Sequence, residues 1–305
     1  MWCADSRQLT DVRRDSPAED RTDDGERGGQ ESEMALSDRE PVQGWAAVPP
    51  GPSAGSGPAA AGAPLVVRCF GGFHLEIPGR RLDWASVRPR VRALLRFLAA
   101  HGGRPVHREI ILAALWPELP LRSGVRNLHV GVSMLRAFLE PGLRRGESRF
   151  VRRDGESYLL ALPPSAYCDV RSFEEAVATW RRAVCTGDRA VAVAALRDAL
   201  DQYGGDLLPE DGPAEWVVPE RDRYRTLAAE SAATLAALEL EAGRLTAAVT
   251  AARRGLELDG FRDDAWRVLA EAQQRSGDTA AYARTRRAYA RMLRTLGVDE
   301  PARVA

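Results

Sequence analysis

Between Ser123 and Leu139 the chain reads SGVRNLHVGVSMLRAFL, and the spacing of its apolar residues leaves few folds open. Leu128, Val132, Leu135 and Leu139 recur at i, i+4, i+7 and i+11, which an α-helix stacks into one narrow stripe. Half a turn away the outward line is Arg126, Val130, Ser133 and Ala137, with Asn127 and His129 flanking it. No acid stands on that line. A solvated helix face ordinarily mixes Glu with its Arg, whereas an acid-free face can enter a DNA major groove and offer its side chains to base edges. Amphipathic helices are common, so the surroundings of this one decide its reading.

Upstream, LVVRCF and FHLEI are short apolar or alternating runs divided by Gly71-Gly72, and Pro78-Gly79 turns the chain again, as in a small antiparallel sheet. RPRVRALLRFLAAHGG then predicts a helix that starts at Pro89, stops at Gly102-Gly103 and buries Val91, Leu94, Leu95 and Leu98. A second helix, REIILAALW, begins near Arg108 and ends before Pro117, and PELPLRSG leads into the opening helix. Downstream, SRFVRRDGESYLLAL reads as strand, tight turn at Asp154-Gly155, strand. Sheet, three helices and a terminal hairpin make a winged helix. Residues 1–63, charged and then rich in Pro, Gly and Ala, bury too little apolar surface to offset the entropy of ordering and read as a disordered leader.

Charge is uneven although the formal net is zero. Residues 1–63 hold 6 Arg against 12 acids, 65–162 hold 17 against 8, and the remainder 20 against 23. A basic middle flanked by acidic segments is the footprint of a polyanion-binding module, although Arg-rich composition alone also produces it. The chain has no Lys and one Asn, Asn127. Every basic contact is therefore an Arg, able to bond phosphate or guanine bidentately. Cys3, Cys69, Cys168 and Cys185 show no paired spacing, and His74, His101, His107 and His129 form no HExxH, so we expect reduced thiols, no metal and no cofactor. No signal peptide or membrane span is visible, and a cytoplasmic location is expected.

Beyond Pro164 the chain reads as almost wholly helical. Gly243, Ala247, Ala251 and Arg253 recur as Gly277, Ala281, Thr285 and Arg287, a period of 34, which is that of tetratricopeptide helix hairpins. Trp180, Tyr203, Trp216, Tyr224, Trp266, Tyr282 and Tyr289 are expected to pack between helices. The fold class is therefore mainly α with a small β component: a winged helix at 64–162, then an all-α, tetratricopeptide-like repeat domain at 165–300. The acid-rich stretch DLLPEDGPAE reads as a solvated loop.

PRVRALLRFLA, the ALW that ends the second helix, NLHVGVSMLRAFL and FVRRDGESYLL together resemble the response-regulator-type winged helix of the Streptomyces antibiotic regulatory protein family. CDVRSFEEAVATWRRAVCTGD and the helices after it resemble that family's bacterial transcriptional activation domain. DGESYLL stands where the family usually has a Pro/Gly–Gly–Tyr run. No receiver domain with a phosphorylatable Asp is recognisable ahead of the winged helix. The resemblance implies an activator of a specialised-metabolite gene cluster that binds direct heptameric repeats in double-stranded promoter DNA, with copies side by side and possible homodimerisation there. It also implies contact with RNA polymerase and its sigma factor through the loop Pro117, Glu118, Leu119, Pro120, Leu121 and Arg122, and through the helical domain.

Within that frame base readout falls to Arg126, Asn127, His129, Val130 and Ser133. Phosphate contact falls to Arg88, Arg90 and Arg92 at the start of the first helix and to Arg149, Arg152 and Arg153 on the wing. Arg92 and the wing match family positions for backbone contact; Arg90 and Arg152 rest on electrostatics alone. No catalytic residues are expected. A chain without Lys has no GxxxxGK[ST] phosphate loop, and no histidine pairs recognisably with a nucleophile. A repressor with the same binding mode, and a helical interaction scaffold that binds no DNA, remain the alternatives.

Overall fold

The computed structural model describes residues 65–144 and 147–297; the expected leader lies outside them. Strand β1 (Val66–Arg68) pairs antiparallel with β2 (His74–Glu76), in the register Val67 opposite Leu75. Helix α1 (Pro89–Ala100) follows, with Pro89 in its first turn and Val91, Leu94, Leu95, Phe97 and Leu98 buried. A two-residue strand β3 (Val106–His107) leads directly into α2 (Arg108–Leu115), where the His107 ring nitrogen accepts the Glu109 N–H as N-cap. Helix α3 spans Leu121–Leu139 and starts two residues ahead of the expected Ser123, because Pro120 supplies a rigid N-cap. The hairpin β4 (Val151–Asp154) and β5 (Ser157–Leu160) forms the wing, with β5 lying between β3 and β4. Its two turn residues are Gly155 and Glu156, one position later than expected, since Asp154 still pairs with Ser157.

Two features of this half are invisible in local pattern. Strand β6 (Tyr167–Cys168), inside the stretch read as almost wholly helical, returns to lie parallel to β1. Asp169, the next residue, opens α4 (Asp169–Thr186) and is buried. Its carboxylate accepts the N–H groups of Cys69 at 2.7 Å, Phe70 at 2.9 Å and Val170 at 2.7 Å, fastening the end of β1 to the start of α4. Burial pushes the Asp169 carboxyl up, and these three N–H bonds offset part of that.

The rest is helical: α5 (Arg189–Gln202), α6 (Val218–Glu241), α7 (Leu245–Leu258), α8 (Asp263–Arg275) and α9 (Thr279–Thr295). The helices pack as successive hairpins, α4 on α5, α6 on α7 and α8 on α9. The 34-residue repeat reappears as backbone geometry. Gly243 (φ 73°) closes α6 and Gly277 (φ 77°) closes α8. In both turns the following residue donates back into the helix, Arg244 to Glu239 at 2.9 Å and Asp278 to Gln273 at 3.1 Å. Glu239 is itself buried; burial alone would raise its carboxyl, but bonds from Arg244 and from Arg197 (2.5 Å) outweigh it and hold it below the usual range.

One core runs without a break from Leu65 to Leu269, so the winged helix and the helical hairpins share their interior. Phe70, just after β1, is the plug between them. Its ring lies 5.6 Å from Phe173, 5.0 Å from Tyr203 and 5.2 Å from Tyr224. The acid-rich stretch expected to be solvated forms part of this seam. Asp211 is bonded by Arg96 of α1, and Glu210 accepts the Phe73 N–H at 2.6 Å. Leu208, held at φ 45°, donates to the Cys69 carbonyl at 2.8 Å, and Arg221 binds the Leu207 and Leu208 carbonyls. Nothing in the composition of the segment distinguishes a carboxylate facing water from one facing a guanidinium 115 residues away.

Candidate nucleic-acid interface

Helix α3 is seated by small residues on its inner side. A Cβ at Gly131 would sit 3.1 Å from the Leu94 Cδ2, so α3 and α1 approach as closely as a bare backbone permits. Leu128, Val132, Leu135 and Leu139 are buried, as the periodicity requires. Arg80 donates to the Phe138 and Leu139 carbonyls and closes the C-terminal end of the helix.

The opposite side is open. Arg126, Asn127, His129, Val130 and Ser133 are all exposed, Val130 to 50%. None of the four polar side chains forms an ion pair or hydrogen bond with a described residue. Donors and acceptors left unspent on an exposed helix face are free for a ligand.

Two side chains at the C-terminal end of α3, one in its last turn and one just past it, set the wing beside that face. Arg136 donates to the Val151 carbonyl at 2.9 Å, holding the first wing strand against the helix. Glu140, just past the helix, accepts the Ser148 hydroxyl at 2.7 Å and the Arg149 and Phe150 N–H groups. Between helix and wing lies a cleft of about 700 Å³ bordered by His129, Ser133, Arg136, Arg144 and Arg153. Arg144 is exposed and was not among the sequence candidates; its only sequence signal is the basic pair after Pro141-Gly142.

The expected phosphate contacts divide. Arg88, Arg149 and Arg152 are exposed and Arg92 half-buried, and their guanidinium groups bond to no described residue. Arg90 stands 3.7 Å from Glu118, both side chains more than half exposed, a pair that solvent screens to little. Arg153 is engaged on the wing itself. It donates to the Gly155 carbonyl at 2.7 Å and to Glu156 at 3.0 Å, and its guanidinium centre lies 5.9 Å from the centre of the Tyr158 ring. Glu156 also holds Arg108, so the wing tip carries less free positive charge than its arginines suggest.

Of the six residues expected in a polymerase-contact loop, Pro117, Glu118, Leu119 and Pro120 do join α2 to α3. Leu121 and Arg122 instead form the first turn of α3, with Leu121 60% exposed. Pro117 and Glu118 border a second concavity, about 760 Å³, whose other walls include Phe97, Ile110, His101 and Trp216. Among the described residues no group of three or more His, Cys, Asp and Glu side chains could hold a metal ion, and no helix is long and apolar enough to cross a membrane.

Residues 168–304 match the model of the bacterial transcriptional activator domain. No curated protein sequence matches the chain. Among solved structures it is similar to Mycobacterium tuberculosis EmbR, in a complex with a low-affinity phosphopeptide, at 24% identity and a TM-score of 0.61. That alignment covers 78% of this chain and 62% of EmbR, so this chain spans less than two thirds of that one. A second structure, MamA protein, aligns at 13% identity and a TM-score of 0.21 over 40% of this chain and 73% of its own. A winged helix thus stands in front of a segment, residues 168–304, that matches the bacterial transcriptional activator domain, in a fold similar to that of EmbR.

Proposed function

We propose that the chain is a transcriptional regulator of the Streptomyces antibiotic regulatory protein type, a sequence-specific activator whose α3 reads promoter DNA in the major groove. One observation carries the reading: Arg126, Asn127, His129, Val130 and Ser133 stand exposed on one helix without acid, their polar groups unspent. Arg126 suits a guanine O6/N7 pair, Asn127 an adenine and Val130 a thymine methyl. Arg88, Arg92, Arg149 and Arg152 supply phosphate contacts around that face, with Arg90 and Arg153 joining after releasing their carboxylates. Residues 64–162 act as the DNA reader and 165–300 as the activation part. The stretch Pro117 to Arg122 and the helical part meet RNA polymerase and its sigma factor, and copies of the chain sit side by side on direct repeats at the promoter of a specialised-metabolite cluster in the cytoplasm. This finer picture rests on the family resemblance.

A mobility shift on DNA from upstream of the neighbouring genes, against a scrambled duplex, tests it at about 50 and 200 mM salt. Both complexes should weaken steeply with salt while the native sequence stays the tighter ligand. Equal binding of the two duplexes would sink base readout. Run-off transcription from the same fragment then gives the sign: more transcript for an activator, less for a repressor.

A further inference from the structure

Helix α9 carries five arginines and no acid. Arg284, Arg287, Arg291 and Arg294 fall at i, i+3, i+7 and i+10, so they share one face of the helix, and all four are exposed. None forms an ion pair or side-chain hydrogen bond with a described residue. Several exposed arginines elsewhere in the helical part are paired, Arg189 with Glu241 at 2.6 Å, Arg225 with Asp206 at 2.5 Å and Arg267 with Asp263 at 2.8 Å, and Arg181, without a described partner, stands singly on α4 rather than in a stripe. Like charges three and four residues apart repel along a helix, so α9 holds this stripe at a cost to its own stability. The partial negative charge at a helix C-terminus offsets that cost for Arg294, in the last turn, but does not reach Arg284 or Arg287. Arg253, the repeat counterpart of Arg287 on α7, is likewise exposed and without a described partner.

We infer that this face of α9 docks an acidic amphipathic helix of a protein partner. Successive arginines rise by about 4.5–6 Å along the axis, the same intervals that separate acids at three- and four-residue spacing on a facing helix. The stripe runs straight for about 15 Å. That is nearly half a turn of B-DNA, whose repeat is about 34–36 Å, so a phosphate rail curves away from it while a packed helix follows it. The inference stands apart from whether α3 reads bases.

The test uses the full chain and a labelled Ala-rich peptide about 20 residues long, enough to populate helix. The peptide carries Glu at i, i+3, i+7 and i+10, and its twin has Gln at those places. By fluorescence anisotropy the Glu peptide should bind about 10-fold more tightly than its twin. Combining Arg284→Gln, Arg287→Gln and Arg291→Gln should erase the difference with a melting temperature no lower than that of the wild type, because Gln matches Arg closely in helix propensity and relieves the repulsion along the stripe. The three corresponding Arg→Lys changes should retain most of it. Equal binding of both peptides, or a Glu preference that survives the Gln triple, overturns the proposal. So does a triple that loses affinity for a labelled DNA duplex while neither peptide binds, which would mark α9 as a phosphate-binding face.

Discussion

The Arg96 guanidinium and the Asp211 carboxylate, 115 residues apart, meet in two parallel bonds of 2.7 and 2.5 Å. Asp211 is 6% exposed and Arg96 15%, so the pair lies almost out of water between α1 and the turn at Pro209–Asp211. Removing one partner strands a buried charge. Asp211→Ala should therefore cost about 3–5 kcal/mol in urea unfolding, and Arg96→Met with Asp211→Leu together clearly less than the sum of the single changes. Additive losses would mean that the two groups do not depend on each other.

Gly131 sets how closely α3 lies on α1. Gly131→Val places methyl groups where Leu94, fully buried, already stands 3.1 Å from a bare Cβ. The expected cost is about 1–3 kcal/mol, despite the gain in helix propensity over Gly, with DNA affinity falling as α3 shifts. A variant as stable as the wild type would mean that the Leu94 side chain can move aside.

His101 makes stability depend on pH near neutrality. Burial pushes its imidazole below 6.5 and Arg104 adds to this, while the Nδ1–H bond to the Phe97 carbonyl offsets only part. The unfolded ring then binds protons that the folded ring refuses. The stabilising contribution is complete above pH 6.5 and declines as pH falls through the window below it. Thermal melts from about pH 7.5 to 5.5 should show the wild type losing stability and His101→Gln losing less. Parallel curves would remove His101 as the cause.

Arg126 and Arg92 should separate base readout from backbone grip. Arg126→Ala is expected to cost about 1–3 kcal/mol on the native site and relax preference at one base position. Arg92→Ala should weaken native and scrambled duplexes alike and lower the slope of log affinity against log salt by about 1. Titrations of both variants at several salt concentrations read this directly; identical behaviour would refute the division of roles.

Much of the winged helix was legible in local pattern. The stripe Leu128, Val132, Leu135, Leu139 is buried as its spacing demands, and α1 begins at Pro89 as expected. The misplaced boundaries have local causes: Pro120 starts α3 early, and the Asp154–Ser157 pairing delays the wing turn. The exposure of the α3 outer residues also follows from periodicity, because a helix that buries one stripe must present the other. Their freedom from partners does not follow, since Arg153 is equally exposed in pattern yet is held by Glu156 and Gly155.

Short-range physics thus settled helix identity, the apolar stripes and the recurrence at 34 residues, because helical geometry and turn formation act over a few positions. Where each charge finds its counterpart was decided only by the folded chain. Asp169 under β1, Asp211 against Arg96 and Glu140 clamping the wing approach all depend on backbone brought together by burial of a common core. The same acids in the same order, on a chain packed differently, would face water.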